Sequence, residues 1–304
     1  MSNYETLCAA ARLTGGEVLT DARGMPDFFA AMDGGGLTVN GKRVGRLLMG
    51  KYEACERAGR LYALPLETPK TGMTFDAAAK SALEKGLGYH LMTLAEWALL
   101  CQNADAETGG YVGASAAAQT GRGAWAYAHN ARWNGVWDAA GNVREWVSGY
   151  RTVDGEIQII PENDAAGCEI DELSAASTLW RAIDKNGNLV APGTAETLKW
   201  HYQEGYTIIG LTTAKENVAR AAAFKDIGTA RAIGQTALNV LAKYGIAPGG
   251  AGELHYNTSG ERLAAAGACY LDKSPTVRKL CGVYTRSSTP TETGVRICFA
   301  EGLT

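Results

Sequence analysis

The stretch WDAAGNVREWVSGYRTVDGEIQIIP, Trp137–Pro161, is the most sharply punctuated in the chain. Two tryptophans, Trp137 and Trp146, flank an Ala-Gly-Asn turn, and the runs VSGYRTV and EIQIIP flank Asp154-Gly155. An Asp-Gly step between apolar runs is a strong two-residue hairpin signal, because such a turn needs positive φ at both positions. Val153, Ile157 and Ile159 are expected to face inward. Asn142, after Gly141, suits a left-handed turn position, and Trp137 and Trp146 are large enough to anchor poorly structured backbone. Arg144 and Glu145 are expected to bond loop backbone or to lie solvated. The stretch reads as frame, not as a catalytic motif.

The rest of the chain limits what that frame can serve. With 304 residues, 46% hydrophobic and 20% charged, the protein can bury a sizeable core. The net charge of −3 and the lack of a Lys/Arg block leave no footprint for a phosphate backbone, so nucleic acid is not an expected partner. Thirty-eight glycines favour many tight turns over long helices. The seven cysteines are scattered, with no C-x-x-C pair, which argues against a disulfide framework and a structural zinc site. No basic leader followed by an apolar core opens the chain, and no apolar run could span a membrane. The expectation is a soluble protein without a signal peptide, made in a reducing cytoplasm, for which incorporation in a phage virion is one destination.

Two helices are expected ahead of the opening stretch. TFDAAAKSALEKG starts at an N-cap, Thr74, stops at Gly86, and carries Phe75, Ala78, Ala79, Ala82 and Leu83 as its apolar stripe. TLAEWALLCQNA has Thr93 as cap and Glu96 at the capping-box position, with Leu94, Trp97, Ala98 and Cys101 on one face. His90, just before it, is expected to be a packed, hydrogen-bonded structural residue. VGRLLMGKYEA (44–54) reads as a strand pair. Residues 1–43 form a Gly-rich N-terminal lead-in, and 44–304 one domain. Within that domain 162–252 read as an insertion, in which ENVARAAAFKDIG and GQTALNVLAKYG are helical.

Three segments then resemble a known family. GYHLMTLAEWALL is similar to its His-Leu-Met-Thr-x-x-Glu-Trp helix entry, VWDAAGNVREWVSG to its Gly-Asn-Val-x-Glu-Trp-Val segment, and TETGVRICFA to its closing Gly-Phe-Arg strand, which stands here as Gly294-Val295-Arg296. This is the formylglycine-generating-enzyme (sulfatase-modifying factor) type of C-type lectin fold. VSGYRTVDGEIQIIPEN, MGKYEACERAGRLYALP and a diversified tail led by GERL resemble more specifically the variable proteins of diversity-generating retroelements. The resemblance covers roughly 44–161 and 253–300. It implies an α+β fold with small twisted antiparallel sheets, paired terminal strands, two flanking helices, long Trp-anchored loops and, in this chain, a helical insertion. Trp97, Trp137, Asn142, Trp146, Gly294 and Arg296 would be its scaffold.

The function implied is non-catalytic ligand binding through a C-terminal surface of massive sequence variation, in a phage receptor-binding or cell-surface or sensor role. Between Gly267 and Gly294 the sequence follows neither a strand nor a helix period. The family's mutagenesis acts at adenines. Tyr270, Leu271, Asp272, Ser274, Thr276, Val277, Leu280, Val283, Tyr284, Thr285, Ser288, Thr289, Thr291 and Thr293 are all types reachable from an asparagine-like codon, whereas Lys273, Lys279 and Glu292 are not. With Arg278 those fourteen make the candidate ligand-binding set, about 264–294 in register. Tyr270, Tyr284, Arg278 and Arg286 are its candidate anchors; Arg286 reads equally as scaffold. The partner would be a protein or surface-receptor ligand, with no nucleic acid, no membrane insertion and oligomerisation left open.

Two alternatives come with the family. A copper-dependent formylglycine-generating oxidase needs two close cysteines, for which Cys269 and Cys281 are the candidates, although their spacing departs from the family's tight pair. A calcium-dependent sugar lectin is echoed by Pro161-Glu162-Asn163. The expectation is no cofactor and no catalytic residue, with a structural calcium ion left open.

Overall fold

The structure is a computed structural model that describes residues 3–302 except 14, 22, 105–108, 123, 124, 212 and 214. It is an α+β protein. Helix α1 (Asn3–Leu13) is followed by a five-stranded antiparallel sheet in the order Glu17–Thr20, Pro26–Asp33, Arg46–Gly50, Ile297–Ala300, Tyr89–Leu91. The last strand of the chain therefore lies at Arg46–Gly50, pairing Cys298 with Met49 and Ala300 with Leu47. Closing the two ends of the chain on each other is the feature that the resemblance implies.

Residues 1–43 do not stand apart as a lead-in. Phe29 pairs with Gly50 and Asp33 with Arg46, so the Pro26–Asp33 strand is an inner member of the same sheet. Its Phe28, Phe29 and Ala30 are buried in succession, which leaves no alternation for a sequence reading to detect. The 44–54 run gives one strand, Arg46–Gly50, while Cys55–Arg57 turns into a small hairpin with Arg60–Tyr62.

Both expected helices form. In α2 (Phe75–Leu83) the Thr74 hydroxyl accepts from Ala77 N, and Phe75, Ala78, Ala79 and Ala82 are buried, with Leu83 half-buried. Helix α3 (Leu94–Asn103) has the full capping box: Thr93 Oγ1 accepts from Glu96 N and Glu96 accepts from Thr93 N, both at 3.0 Å.

The second sheet has twelve strands. Its path runs Ala219–Ala223, Glu253–Asn257, Lys279–Tyr284, Glu261–Ala266, Arg144–Val153, Glu156–Ile159, Lys199–Gln203, Tyr206–Gly210, Gly228–Thr229. The Asp154-Gly155 hairpin is present, with Val153 opposite Glu156 and φ of 47° and 80° in the turn. Ile157 and Ile159 are buried and Val153 is half-buried, but Glu156 and Gln158 on the other face are buried too. The insertion covers that face, where Thr197 Oγ1 and Gly193 N donate to Glu156.

Within 162–252 only one of the two expected helices is a helix: α4 (Gln235–Lys243), with Ala237 and Leu241 buried. ENVARAAAFKDIG is instead the strand Ala219–Ala223 and a short 3-10 turn, Phe224–Asp226. Its alanines favour helix, yet Ala219 to Ala223 pair in register with Asn257 to Glu253, and the ladder overrides local propensity. Most of the insertion's regular structure is thus strand.

Among the described residues five tryptophans are buried, and four of them, Trp97, Trp137, Trp146 and Trp200, fasten this frame. Trp146 packs edge-on to Phe75 at 6.1 Å and to Tyr284 at 5.1 Å, and its Nε1 donates to Met73 O. Trp137 lies against Tyr52 and Trp133. Trp97 Nε1 reaches Val277 O, and Trp200 Nε1 reaches Tyr150 Oη. The side chain of Trp125 lies outside the described residues.

Arg296, wholly buried, ties four segments together. It donates to Glu145 Oε1 at 2.5 Å, to Gly50 O at 2.8 Å and to Trp137 O at 2.9 Å. Glu145 is therefore neither solvated nor a backbone partner, as expected from the sequence, but the counterion of a buried guanidinium. Arg296→Met should destabilise the fold by about 3–5 kcal/mol in urea unfolding, because it strands a buried carboxylate, and Glu145→Leu added to it should recover part of the loss. An unchanged midpoint for the single variant would remove this pair from the account.

Candidate functional site

The site is built on the segment that leaves the strand Glu261–Ala266. Gly267 has φ of 82°, and a Cβ there would stand 2.8 Å from Ala139 O, so only glycine makes the exit turn. The next ten residues have no strand or helix, yet their main chain is tied down. Tyr270 N donates to Asn142 O, Asn142 N to Tyr111 O, and Ala114 N back to Tyr270 O, all within 2.8 Å. Gly113 N donates to Asp272 O, and Thr276 N to Ala140 O. Asn142 has φ of 63°, the left-handed position expected of it, and its side chain holds Ala118 N and Glu53.

The chain then enters the strand Lys279–Tyr284, turns at 285–288, and returns beside Arg144. Gly72 N bonds Pro290 O, Arg144 N bonds Glu292 O, and Thr293-Gly294 pairs with Arg144-Glu145. Gly294 permits this approach, since a Cβ would meet Val143 Cγ2 at 2.9 Å.

Arg144 joins the two halves of the tail. Its Nη2 is 3.1 Å from Asp272 Oδ2 in the first half, and its Nη1 is 3.8 Å from Glu292 in the second. It is an ion-pair partner rather than a solvated or backbone-bonding residue. Asp272 also accepts from Lys279 Nζ at 2.7 Å and from Cys269 N at 2.7 Å. Burial alone would raise the Asp272 carboxyl, but these donors hold it below the usual range. Lys279 is buried, bridges Asp272 and Glu253, and is raised against its desolvation by those two carboxylates. Tyr284 Oη donates to Glu292 at 3.0 Å.

The fifteen candidate residues divide. Tyr270, Val277, Leu280, Tyr284 and Thr293 are buried, at 0–9% exposure, and as packed here they cannot offer side chains to a ligand. Leu280 and Tyr284 lie on the inner strand Lys279–Tyr284 and Thr293 joins the edge of Arg144–Val153, while Tyr270 and Val277 belong to the irregular segment, held by main-chain bonds to Asn142 and Ala114 and by Trp97 and Cys101. The other ten reach solvent wholly or in part: Leu271, Asp272, Ser274, Thr276, Arg278, Val283, Thr285, Ser288, Thr289 and Thr291. Nine of them fall in two segments, 271–278 and 285–291, and Val283 lies between, on the strand Lys279–Tyr284.

Of the four candidate anchors, Tyr270 and Tyr284 are core. Arg286 is a clasp: it bonds both oxygens of Glu261 at 2.9–3.0 Å and Asp76 at 2.5 Å, over the Phe75 ring. Arg278 alone is half-exposed and, among the described residues, has no carboxylate within salt-bridge distance.

Buried charge surrounds the base of the site. Glu53, Asp138 and Glu145 share the single Arg296. Burial, reinforced by Asp138 and Glu145, pushes Glu53 well up. Asp138 is raised by burial to about 6 against the pull of Gly121 N and Arg296. Sequence reading missed Glu53, Asp138 and Lys279, because their partners are distant in the chain.

His90, Glu96 and Cys298 bring three donor atoms within 4.8 Å of one another. His90 Nε2 is already bonded to Glu96 Oε1 at 2.8 Å, and Glu96 also receives Asn163 Nδ2 and Thr93 N. Burial would depress the imidazole, but Glu96 outweighs it and raises His90. The cluster is a hydrogen-bonded pair that completes the cap of α3, the structural part expected of His90, and imidazole with thiol is not a calcium donor set. Asn163, spent on Glu96, has no amide oxygen turned toward a sugar site; it lies against Thr93 Oγ1. Cys269 and Cys281 are free, buried thiols, with burial pushing Cys269 to about 11 and Cys281 also upward.

No family model matches the chain, and no curated protein matches it. Among solved structures it is similar to Treponema denticola variable protein 1, at 10% identity and a TM-score of 0.41, over 94% of this chain and 99% of that one.

Two outcomes test the electrostatics. Asp272→Ala should destabilise the protein by about 2–4 kcal/mol in chemical denaturation, since it leaves Arg144 and Lys279 without their shared counterion, while Leu271→Ala and Thr289→Ala should stay within about 0.5 kcal/mol. The Asp138 contribution is present below the ordinary carboxyl value of 3.8 and is lost as pH rises through about 6, because the folded state keeps its proton longer. Asp138→Asn, which suits the same left-handed φ of 64°, should therefore gain on the parent by up to about 3 kcal/mol between pH 4 and pH 7. A pH-independent difference would contradict the assignment.

Proposed function

We propose that the chain is a non-catalytic binding protein, a C-type-lectin-type variable protein whose tail presents the patches 271–278 and 285–291 to a ligand. The observation that carries the reading is the split within the tail. Its irregular main chain is fixed by bonds to 72, 111–114, 140 and 142 and by the ion pairs of Arg144 with Asp272 and Glu292, while nine further candidate side chains reach solvent wholly or in part. Side chains that do not set the main-chain path are free to differ, the property a diversified surface requires. Lys279 and Glu292, which adenine mutagenesis would not produce, are members of the charge frame.

The ligand is a protein or cell-surface receptor, met by an adaptable rim of Ser and Thr around Leu271 and Arg278. A phage receptor-binding tip or a displayed bacterial sensor suits such a module. The twelve-residue separation of Cys269 and Cys281, unlike the family's tight pair, weighs against the copper oxidase, and the occupied Asn163 weighs against the calcium lectin.

Sequencing the locus tests the reading. A reverse-transcriptase gene and a near-copy of the 3′ end, differing mainly at adenines, should lie close by, with sibling isolates differing at exposed positions such as Leu271, Ser274, Thr285, Thr289 and Thr291 and agreeing at Arg144, Asp272, Lys279 and Arg286. An intact locus that lacks both elements would overturn it.

A further inference from the structure

We infer that a pocket beside the tail binds a small carboxylic acid with one apolar ring or branched chain. The pocket lies where α3, α4 and the strand Lys279–Tyr284 meet, and its volume is about 130 Å³. Trp97, Phe224, Ile246 and Leu280 supply apolar wall, and Arg278 and Lys279 are its cations. A dry cavity of roughly 150 Å³ takes a benzene molecule, so this one matches a single ring.

The two cations differ. Lys279 is spent on Asp272 and Glu253. Arg278 uses Nη2 on Cys101 O at 2.5 Å and, among the described residues, meets no carboxylate. A guanidinium has five N–H donors and prefers a planar, two-oxygen partner. At the mouth of an apolar cavity it selects a carboxylate attached to an apolar group.

A free small molecule fits better than a peptide segment. The strand that forms one wall is paired on both sides, with Glu253–Asn257 and with Glu261–Ala266, so a peptide main chain finds no open ladder there. Phe224, Tyr244 and Ile246 come from the insertion, which gives that insertion a part in binding. The apolar walls are made by frame and insertion, whereas Arg278 belongs to the 271–278 patch, so the preference for a carboxylate goes with the residue at that position.

The test is calorimetric titration of the full chain with 3-phenylpropionate, with neutral 3-phenylpropanamide, and with a short peptide ending in Phe. Phenylpropionate should saturate one site and bind more tightly than the amide. Arg278→Gln should weaken phenylpropionate about tenfold or more and leave the amide unchanged, since it removes a charge-assisted bond only. Ala242→Phe, at an exposed pocket-lining position of α4, should weaken both ligands while the thermal midpoint holds. No saturable binding of phenylpropionate, or equal affinity in Arg278→Gln, would overturn the pocket, and tighter binding of the peptide would overturn the small-molecule assignment.

Discussion

Arg296 is a charge taken wholly out of water, and the structure is arranged to satisfy it. Glu145 supplies the counterion, and the carbonyls of Gly50 and Trp137 accept its remaining donors. A buried pair of this kind contributes little net stability compared with an apolar replacement, but it tolerates few other arrangements. Here it fixes the closing strand, the central Arg144–Val153 strand, the end of Arg46–Gly50 and the Trp137 loop relative to one another. Every later feature of the tail is placed by those four segments.

The tail inherits its path from that arrangement. Glu145 is next to Arg144, so placing one carboxylate in the core directs the neighbouring guanidinium to the other side of the strand, where it is buried between Asp272 and Glu292. Asp272 then neutralises Arg144 and Lys279 together, and the loop that carries it needs no secondary structure of its own. Leu271, Ser274, Val283, Thr285, Thr289 and Thr291 reach solvent without holding an ion pair or a main-chain group of the frame, whereas Asp272, Thr276, Arg278 and Ser288 each hold one. Binding capacity and foldability are thereby carried by different residues of one segment.

Signals confined to a few residues were legible in the sequence. Thr74, the Thr93–Glu96 box and Asp154-Gly155 act through near neighbours, Asn142 shows its signal in its own left-handed φ, and each stands as expected. The insertion was less legible, because the alanines of 219–223 favour helix until Glu253–Asn257 offers a ladder. The charge frame was not legible at all. Arg296 and Glu145 are separated by 151 positions and Arg144 and Asp272 by 128, and nothing local in either sequence context names the partner. The same limit explains why Tyr270, Val277, Leu280, Tyr284 and Thr293 looked like surface: their covering comes from segments distant in the chain, Asn142 and Ala114 at Tyr270, Trp97 at Val277, and neighbouring strands at the other three.

The central claim is that the main-chain path of the tail does not depend on its exposed side chains. The most direct measurement randomises Leu271, Ser274, Thr285, Thr289 and Thr291 together in one displayed library, and Tyr270, Val277, Leu280, Tyr284 and Thr293 in another, and scores protease resistance member by member. The account predicts that most members of the first library remain within about 1 kcal/mol of the parent while most of the second unfold. Equal loss of stability in the two libraries would contradict it.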